Sequence, residues 1–217
     1  RSGRIQFSLL ATGDTPFAVN VAGAVPYAGI GSTKALLGYR VVVVVRRDSS
    51  VNRLSELKGR RVAHTAPSSN SGNMAPRALF PAEGLVPDRD YKVIYSGKHD
   101  NSVIGVANKD YDAAAVANSV KNRMVIRKAV DGTKIRTIYK SQTFPTTGYG
   151  HVYNLKPELA AKVREAFFTF NWQGTALLKE FEKSSPPQEK FMPIDYKGYW
   201  QVVREIDGAM GVSYACK

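Results

Sequence analysis

Val62-Ala63-His64-Thr65-Ala66-Pro67-Ser68-Ser69-Asn70-Ser71-Gly72 passes from an apolar strand straight into a polar helix start. The same passage recurs in Val93-Ile94-Tyr95-Ser96-Gly97-Lys98-His99-Asp100-Asn101-Ser102 and in Tyr111-Asp112-Ala113-Ala114-Ala115-Val116-Ala117-Asn118-Ser119. Strand–helix alternation of this kind predicts a parallel sheet with right-handed crossovers. In such a sheet the junctions gather along the carboxyl edge of the strands, where open α/β folds bind ligands. Each helix start presents unpaired N–H groups and the positive end of a dipole. Several aimed at one point make an anion site.

Working outward, Tyr39 to Arg46 is a β-branched run suited to a strand buried on both faces. Ile5 to Leu10 reads as a strand, and Thr12-Gly13-Asp14-Thr15-Pro16 as a helix start with proline in its first turn. After Ser69–Gly72 the helix must accommodate Pro76. Beyond the turn-rich Ser141 to Gly150 the character changes, with amphipathic helices over 157–170, 174–182 and 196–210. These breaks predict a central α/β lobe over 53–147, with 1–52 and 148–217 forming a discontinuous first lobe. A chain that leaves a lobe and returns through two connections suits hinge closure around a ligand.

The 217 residues suffice for two lobes, each with its own core. The formal charge of +13 favours anionic partners. Its basic residues are scattered, however, and no polybasic arm or aromatic-interleaved stripe stands out. Most of these charges read as solvated surface, and no nucleic-acid partner is expected. The longest apolar run, Val41 to Val45, is far too short to span a bilayer. The chain opens on Arg1-Ser2-Gly3-Arg4 without a leader, as a mature exported chain also would. Three scattered histidines and the single Cys216 do not make a metal site, so neither metal nor cofactor is expected. Cys216 itself reads as an inert tail thiol.

Leu57-Lys58-Gly59-Arg60 through Ser69-Asn70-Ser71-Gly72, then Tyr95 to Ser102, Tyr111 to Ala115, Ile138 to Ser141 and Phe144-Pro145 together resemble the periplasmic binding proteins of phosphate/phosphite/phosphonate ABC transporters. The resemblance implies a two-lobed type II periplasmic-binding-protein-like fold, α/β, with mostly parallel sheets flanked by helices and the anion held between the lobes. It implies that Ser69, Asn70 and Ser71 grip the anion through hydroxyls and backbone N–H groups, and that His99 donates a ring N–H. Three departures accompany it. Val120 and Thr147 stand where relatives that take 2-aminoethylphosphonate carry acidic groups, so phosphate, phosphite or a simple phosphonate is the expected ligand. Thr12 stands where a Tyr often follows the opening strand. Relatives also begin with a further strand–helix–strand–helix stretch, so the first lobe is expected to be incomplete and to expose apolar surface. A monomer is expected unless that lobe associates.

Each polar residue also has an ordinary reading. Asn118 and Ser119 serve equally as helix caps or ligand contacts. Thr12 and Thr15, with Asp14, Thr146 and Tyr149, are either first-lobe contributions or local structure. Asp100 suits an N-cap better than a ligand, because a carboxylate repels an anion. His64, inside a strand, and His151 read as structural. The leading function is therefore a periplasmic (or lipid-anchored extracytoplasmic) solute-binding component that hands a phosphorus oxyanion to an ABC permease, with no catalysis. One alternative is a protein of the same fold that signals to a membrane sensor. Another is a hydrolase using a serine of 68–71 with His99 and Asp112, which lacks a Gly-x-Ser-x-Gly elbow.

Overall fold

The computed structural model describes residues 5–184 and 186–215, so Arg1 to Arg4 and Cys216 lie outside the described residues. The chain divides into two compact units, residues 39–143 and residues 1–38 with 144–217. The division thus falls earlier than the expected 52/53 and 147/148. The physical reason is pairing: the valine strand belongs to the central unit, because it is hydrogen-bonded along its length to Ala113–Ala117.

In the central unit, β3 (Gly38–Arg46), β4 (Arg61–His64), β5 (Lys92–Tyr95), β6 (Ala113–Ala117) and β7 (Ile135–Pro145) form a sheet in the order β5-β4-β6-β3-β7. The three strands that end in polar junctions, β4, β5 and β6, run parallel. By contrast β3 runs antiparallel to β6, pairing Val41 with Ala117 and Val45 with Ala113. Alternation along these two strands feeds two dry layers. Val43, Val45, Ala113 and Ala115 pack on one face with Leu57, Phe80 and Leu85. Val42, Val44, Ala114 and Val116 pack on the other with Val103, Val106 and Met124. Those last three come from α3 (His99–Ala107) and α4 (Asn118–Ile126), while Phe80 follows α2 (Ala75–Leu79).

The other unit departs from the expectation of mostly parallel sheets. Its sheet, in the order β1-β8-β2-β9, contains β1 (Phe7–Leu10), β2 (Ala24–Gly31), β8 (Gly148–Val152) and β9 (Lys190–Pro193), and every ladder in it is antiparallel. The cause is a strand inserted from far along the chain. β1 and β2, joined through α1 (Thr15–Ala22), run in the same direction, but the returning β8 lies between them and opposes both. Its core is aromatic: Phe167, from α5 (Pro157–Thr169), meets Tyr27, Tyr149 and Phe191 at centroid distances of 4.7–5.2 Å. Trp200, fully buried, donates from Nε1 to the Thr12 carbonyl at 3.0 Å. β1 forms one edge of the sheet, and its Phe7 and Leu9 side chains, with neighbouring Ile5, are exposed. α6 (Ala176–Phe181), α7 (Tyr196–Tyr199) and α8 (Gln201–Ala209) complete the unit. No helix among the described residues is long and apolar enough to cross a membrane.

His64, completely buried at the end of β4, is structural in its bonding. The Asn73 amide donates to the Pro67 carbonyl at 2.7 Å, which turns its Oδ1 toward His64 Nδ1 at 2.9 Å. His64 therefore donates from Nδ1 and accepts on Nε2 from the Tyr91 hydroxyl at 2.9 Å, the pattern of a neutral ring. Burial pushes its pKa from the ordinary 6.5 down to about 4, with the Asn73 bond opposing and Arg77 reinforcing the shift.

Two measurements check this packing. Truncating the fully buried ring by Phe80→Ala should lower the unfolding free energy in urea by about 3–5 kcal/mol. His64 gives a pH dependence. The unfolded chain binds a proton near 6.5 and the native state only near 4. Stability is thus fully present above 6.5 and lost as the pH falls towards 4, by an amount on the order of 3 kcal/mol. Urea titrations at pH 7 and pH 4.5 should show the loss, and a His64→Gln variant should show a shallower one.

Candidate functional site

The junction after β4 owes its shape to one glycine and one proline. Ser69 is extended, and its hydroxyl oxygen accepts from the Gly72 N–H at 3.1 Å. From Asn70 to Met74 the helix opens into a wide turn, in which the Ala75 N–H reaches back to the Asn70 carbonyl. Pro76 has no N–H to offer the carbonyl four residues earlier, that of Gly72. That carbonyl instead accepts from the Thr65 N–H at 3.0 Å. The contact requires glycine, because a Cβ at position 72 would lie 1.8 Å from Thr65 Oγ1. Pinned this way, residues 69–71 sit directly at the carboxyl end of β4.

The side chains brought together there come from three segments. Asn70 is buried, with its amide 2.7 Å from the Tyr39 hydroxyl. Ser71 is buried with its Oγ 3.1 Å from His99 Nε2. His99 opens α3, just past the end of β5. Burial pushes the His99 pKa down to about 4, with Asp100 opposing the shift and Arg123 adding to it. The ring is neutral at pH 7, with one nitrogen a donor and the other an acceptor.

Three polar atoms in this cluster are buried without a hydrogen-bond partner: Thr65 Oγ1, Asn70 Oδ1 and His99 Nδ1. Within the central unit these are all the partnerless buried side-chain atoms of the described residues. Each such atom costs about 1–3 kcal/mol. A bound oxyanion would recover that cost by accepting from each. Thr65 supplies a hydroxyl proton. His99 supplies Nδ1–H when Nε2 accepts from Ser71. Turning the Asn70 amide over keeps the Tyr39 contact, with the phenol now donating, and points its NH2 where Oδ1 stood. Among the described residues no group of His, Cys, Asp and Glu is placed to hold a metal ion.

The remaining residues singled out from sequence fall elsewhere or are already engaged. Asn118 accepts on Oδ1 from the Arg40 N–H at 2.8 Å, closing the end of the β3–β6 ladder. Ser119, in the first turn of α4, is half-buried, and its hydroxyl is bonded to none of the described residues. Thr12 and Thr15 belong to the other unit, where their hydroxyls donate to the Pro145 carbonyl at 3.0 Å and the Ala11 carbonyl at 2.8 Å. Tyr149 is part of that unit's aromatic core. Asp100 lies in the first turn of α3 without capping it, because Lys98 holds the cap position. Asp112 accepts from the Arg61 N–H at the amino end of β4. It is therefore at the opposite edge of the sheet from Ser71 and His99, and no Ser–His–Asp112 triad forms.

Two members of the cluster escaped the sequence reading. Tyr39 looked like one more strand residue, and nothing local signals a bond to a side chain 31 positions away. Thr65 did carry a signal: a hydroxyl residue at the first position after a buried strand, in a βα junction.

Residues 1–199 match the family described as "ABC transporter, phosphonate, periplasmic substrate-binding protein". The chain is 27% identical over 189 residues to the phosphate-import protein PhnD of Mycolicibacterium smegmatis, covering 82% of this chain and 57% of that protein. It is 26% identical over 139 residues to the phosphonates-binding periplasmic protein of Escherichia coli, covering 61% of this chain and 40% of the relative. It thus spans about half the length of these curated relatives. The same fold occurs in the binding-protein component of a Pseudomonas aeruginosa ABC phosphonate transporter, with a TM-score of 0.79 at 20% identity over 94% of this chain and 68% of that one. PhnD1 of Prochlorococcus marinus, solved with methylphosphonate, gives 0.81 at 14% identity over 96% and 79%. With a family match over most of its length and a donor cluster at the carboxyl edge of a parallel β4–β5–β6 core, the chain belongs to the periplasmic substrate-binding proteins of phosphonate ABC transporters.

Proposed function

We propose that Thr65, Ser69, Asn70, Ser71 and His99 bind a small phosphorus oxyanion, and that the protein hands it to the membrane permease of an ABC transporter on the extracytoplasmic side. The observation that carries this reading is that the three partnerless buried polar atoms of the central unit's described residues all belong to the junctions after β4 and β5. A neutral cluster of preorganised donors suits a compact oxyanion, because each bond to a charged acceptor is stronger than one to a neutral acceptor. Ser69 contributes through the backbone, since its side chain already serves the Gly72 N–H. Asn118 and Ser119 line the neighbouring junction, and of these the Ser119 hydroxyl is the freer to reach a ligand.

The third junction supports a compact ligand. Val120 stands near the third junction where an aminoalkyl ligand would need a carboxylate, so phosphate, phosphite or methylphosphonate fits better than 2-aminoethylphosphonate. The names of the relatives, a phosphate importer and a methylphosphonate complex, are of that class. The cluster works by binding and not by turnover: Asp112, the acid a hydrolase would need, is at the opposite strand ends.

A thermal-shift panel at fixed ionic strength, with phosphate, phosphite, methylphosphonate, 2-aminoethylphosphonate and sulfate, tests the reading. A compact phosphorus oxyanion at a hundredfold over its Kd should add about 2.7 kcal/mol of stability. His99→Ala should weaken that ligand by about tenfold or more, as the loss of a charge-assisted hydrogen bond requires, and Ser71→Ala should weaken it by removing the donor to His99 Nε2 that keeps the proton on Nδ1. A cooperatively melting protein that responds to none of the five anions, or variants that respond as the parent does, would overturn it.

A further inference from the structure

The opposite pole of the central sheet carries a different kind of site. A cavity of about 420 Å³ opens there, lined by Arg46, Arg47 and Asp48 at the end of β3, Ala107 and Lys109 at the end of α3, and Thr133 and Lys134 ahead of β7. Because Val45 pairs with Ala113, and Ala113 with Val62, this cavity adjoins the amino ends of β4 and β6. It is thus separated from Ser71 and His99 by the length of the strands, about 15 Å.

Four cations line this cavity against one carboxylate. Arg46 is committed to Asp48 through two hydrogen bonds. Arg47 places Nε 3.4 Å from the Thr133 carbonyl, which leaves its terminal NH2 groups for a ligand. Lys109 and Lys134 form no ion pair within the described residues. Asp131, adjacent to this wall, spends Oδ1 on the Thr133 N–H and hydroxyl. Asp131 keeps its negative charge beside Lys134, and the carbonyl end of α3 adds about half a negative charge, so the four cations retain a modest positive excess. Lys109 is notable for its backbone as well. It sits at φ 74°, a left-handed conformation that glycine adopts freely and lysine does not. The same conformation recurs at Lys128 just after α4, so it belongs to the way these helices end, and at Lys109 it sets a cation at the rim.

We propose that this cavity binds a multiply charged phosphate anion of the diphosphate or triphosphate type, at a site separate from the oxyanion cluster. A planar Arg47 fork and two lysine point charges on one lining suit a ligand with several adjoining phosphoryl groups, which offers each cation an anionic oxygen. The lining has no aromatic ring on which to stack a base, so the phosphates and not a nucleoside carry recognition.

The test is titration calorimetry of the full chain with inorganic diphosphate, before and after saturation with methylphosphonate. The variants are Lys109→Gly, which suits the turn while removing the charge, and Lys109→Gly with Lys134→Gln. Diphosphate should bind with affinity that falls as salt rises. The double variant should weaken it by about tenfold or more while melting at the parent temperature. The response to methylphosphonate should stay unchanged in both variants. Absence of diphosphate binding, its competition by methylphosphonate, or equal binding by the double variant would overturn the proposal. Co-sedimentation with phosphatidic acid vesicles but no binding of free diphosphate would overturn it in favour of a lipid headgroup.

Discussion

The central unit depends on one ladder, Val41–Val45 against Ala113–Ala117, dry on both faces. A strand with valine at every position has no polar side to show to water. It therefore requires a packed layer above and another below, and α3 and α4 on one side with Phe80, Leu85 and Leu57 on the other supply them. The alanines opposite leave room for those layers to approach closely. With the middle of the sheet sealed, polar residues of the same segments are left at the strand ends. Chemistry in this unit is consequently sorted into two poles, neutral donors at the carboxyl ends of β4 and β5 and cations at the amino ends.

At the donor pole, local strain and function are coupled through the Thr65–Gly72 contact. Pro76 denies Gly72 its usual partner, the freed carbonyl takes the Thr65 N–H, and the turn from 70 to 74 widens as a result. Asn70 and Ser71 are thereby buried beside a histidine that burial holds neutral. Leaving three polar atoms in this cluster unpaired destabilises the free protein. In the proposed site the same arrangement would present a ligand with donors already desolvated and oriented, so that less is lost on binding.

The net charge of +13 plays little part in that pole. The side chains of the proposed site are a threonine, an asparagine, a serine and a neutral imidazole, so an oxyanion bound there would be selected chiefly by hydrogen-bond geometry, with Arg123 the cation that acts on His99. The likeness to solved structures at 14–20% identity is a likeness of fold. Burial pattern and junction chemistry preserve a fold that few individual identities would reveal.

Much of this was legible in the residues themselves. Alternating strand and polar helix start fixed a parallel arrangement for β4, β5 and β6, because each junction is local and its hydrogen-bonding needs are met within a few residues. The pairing of Ser69–Ser71 with His99 at one sheet edge followed from the same pattern. Local sequence did not determine which distant strands pair. The placement of β3 beside β6, which moved residues 39–52 out of the first lobe, depends on two apolar runs 72 positions apart finding each other. The insertion of β8 between β1 and β2, which turned an expected parallel sheet antiparallel, is likewise a long-range event. So is the bond between Tyr39 and Asn70. Local propensity and hydrogen bonding specify elements and their ends. The order of strands, and the partners a buried side chain meets, are decided by whichever tertiary packing buries every apolar face at once.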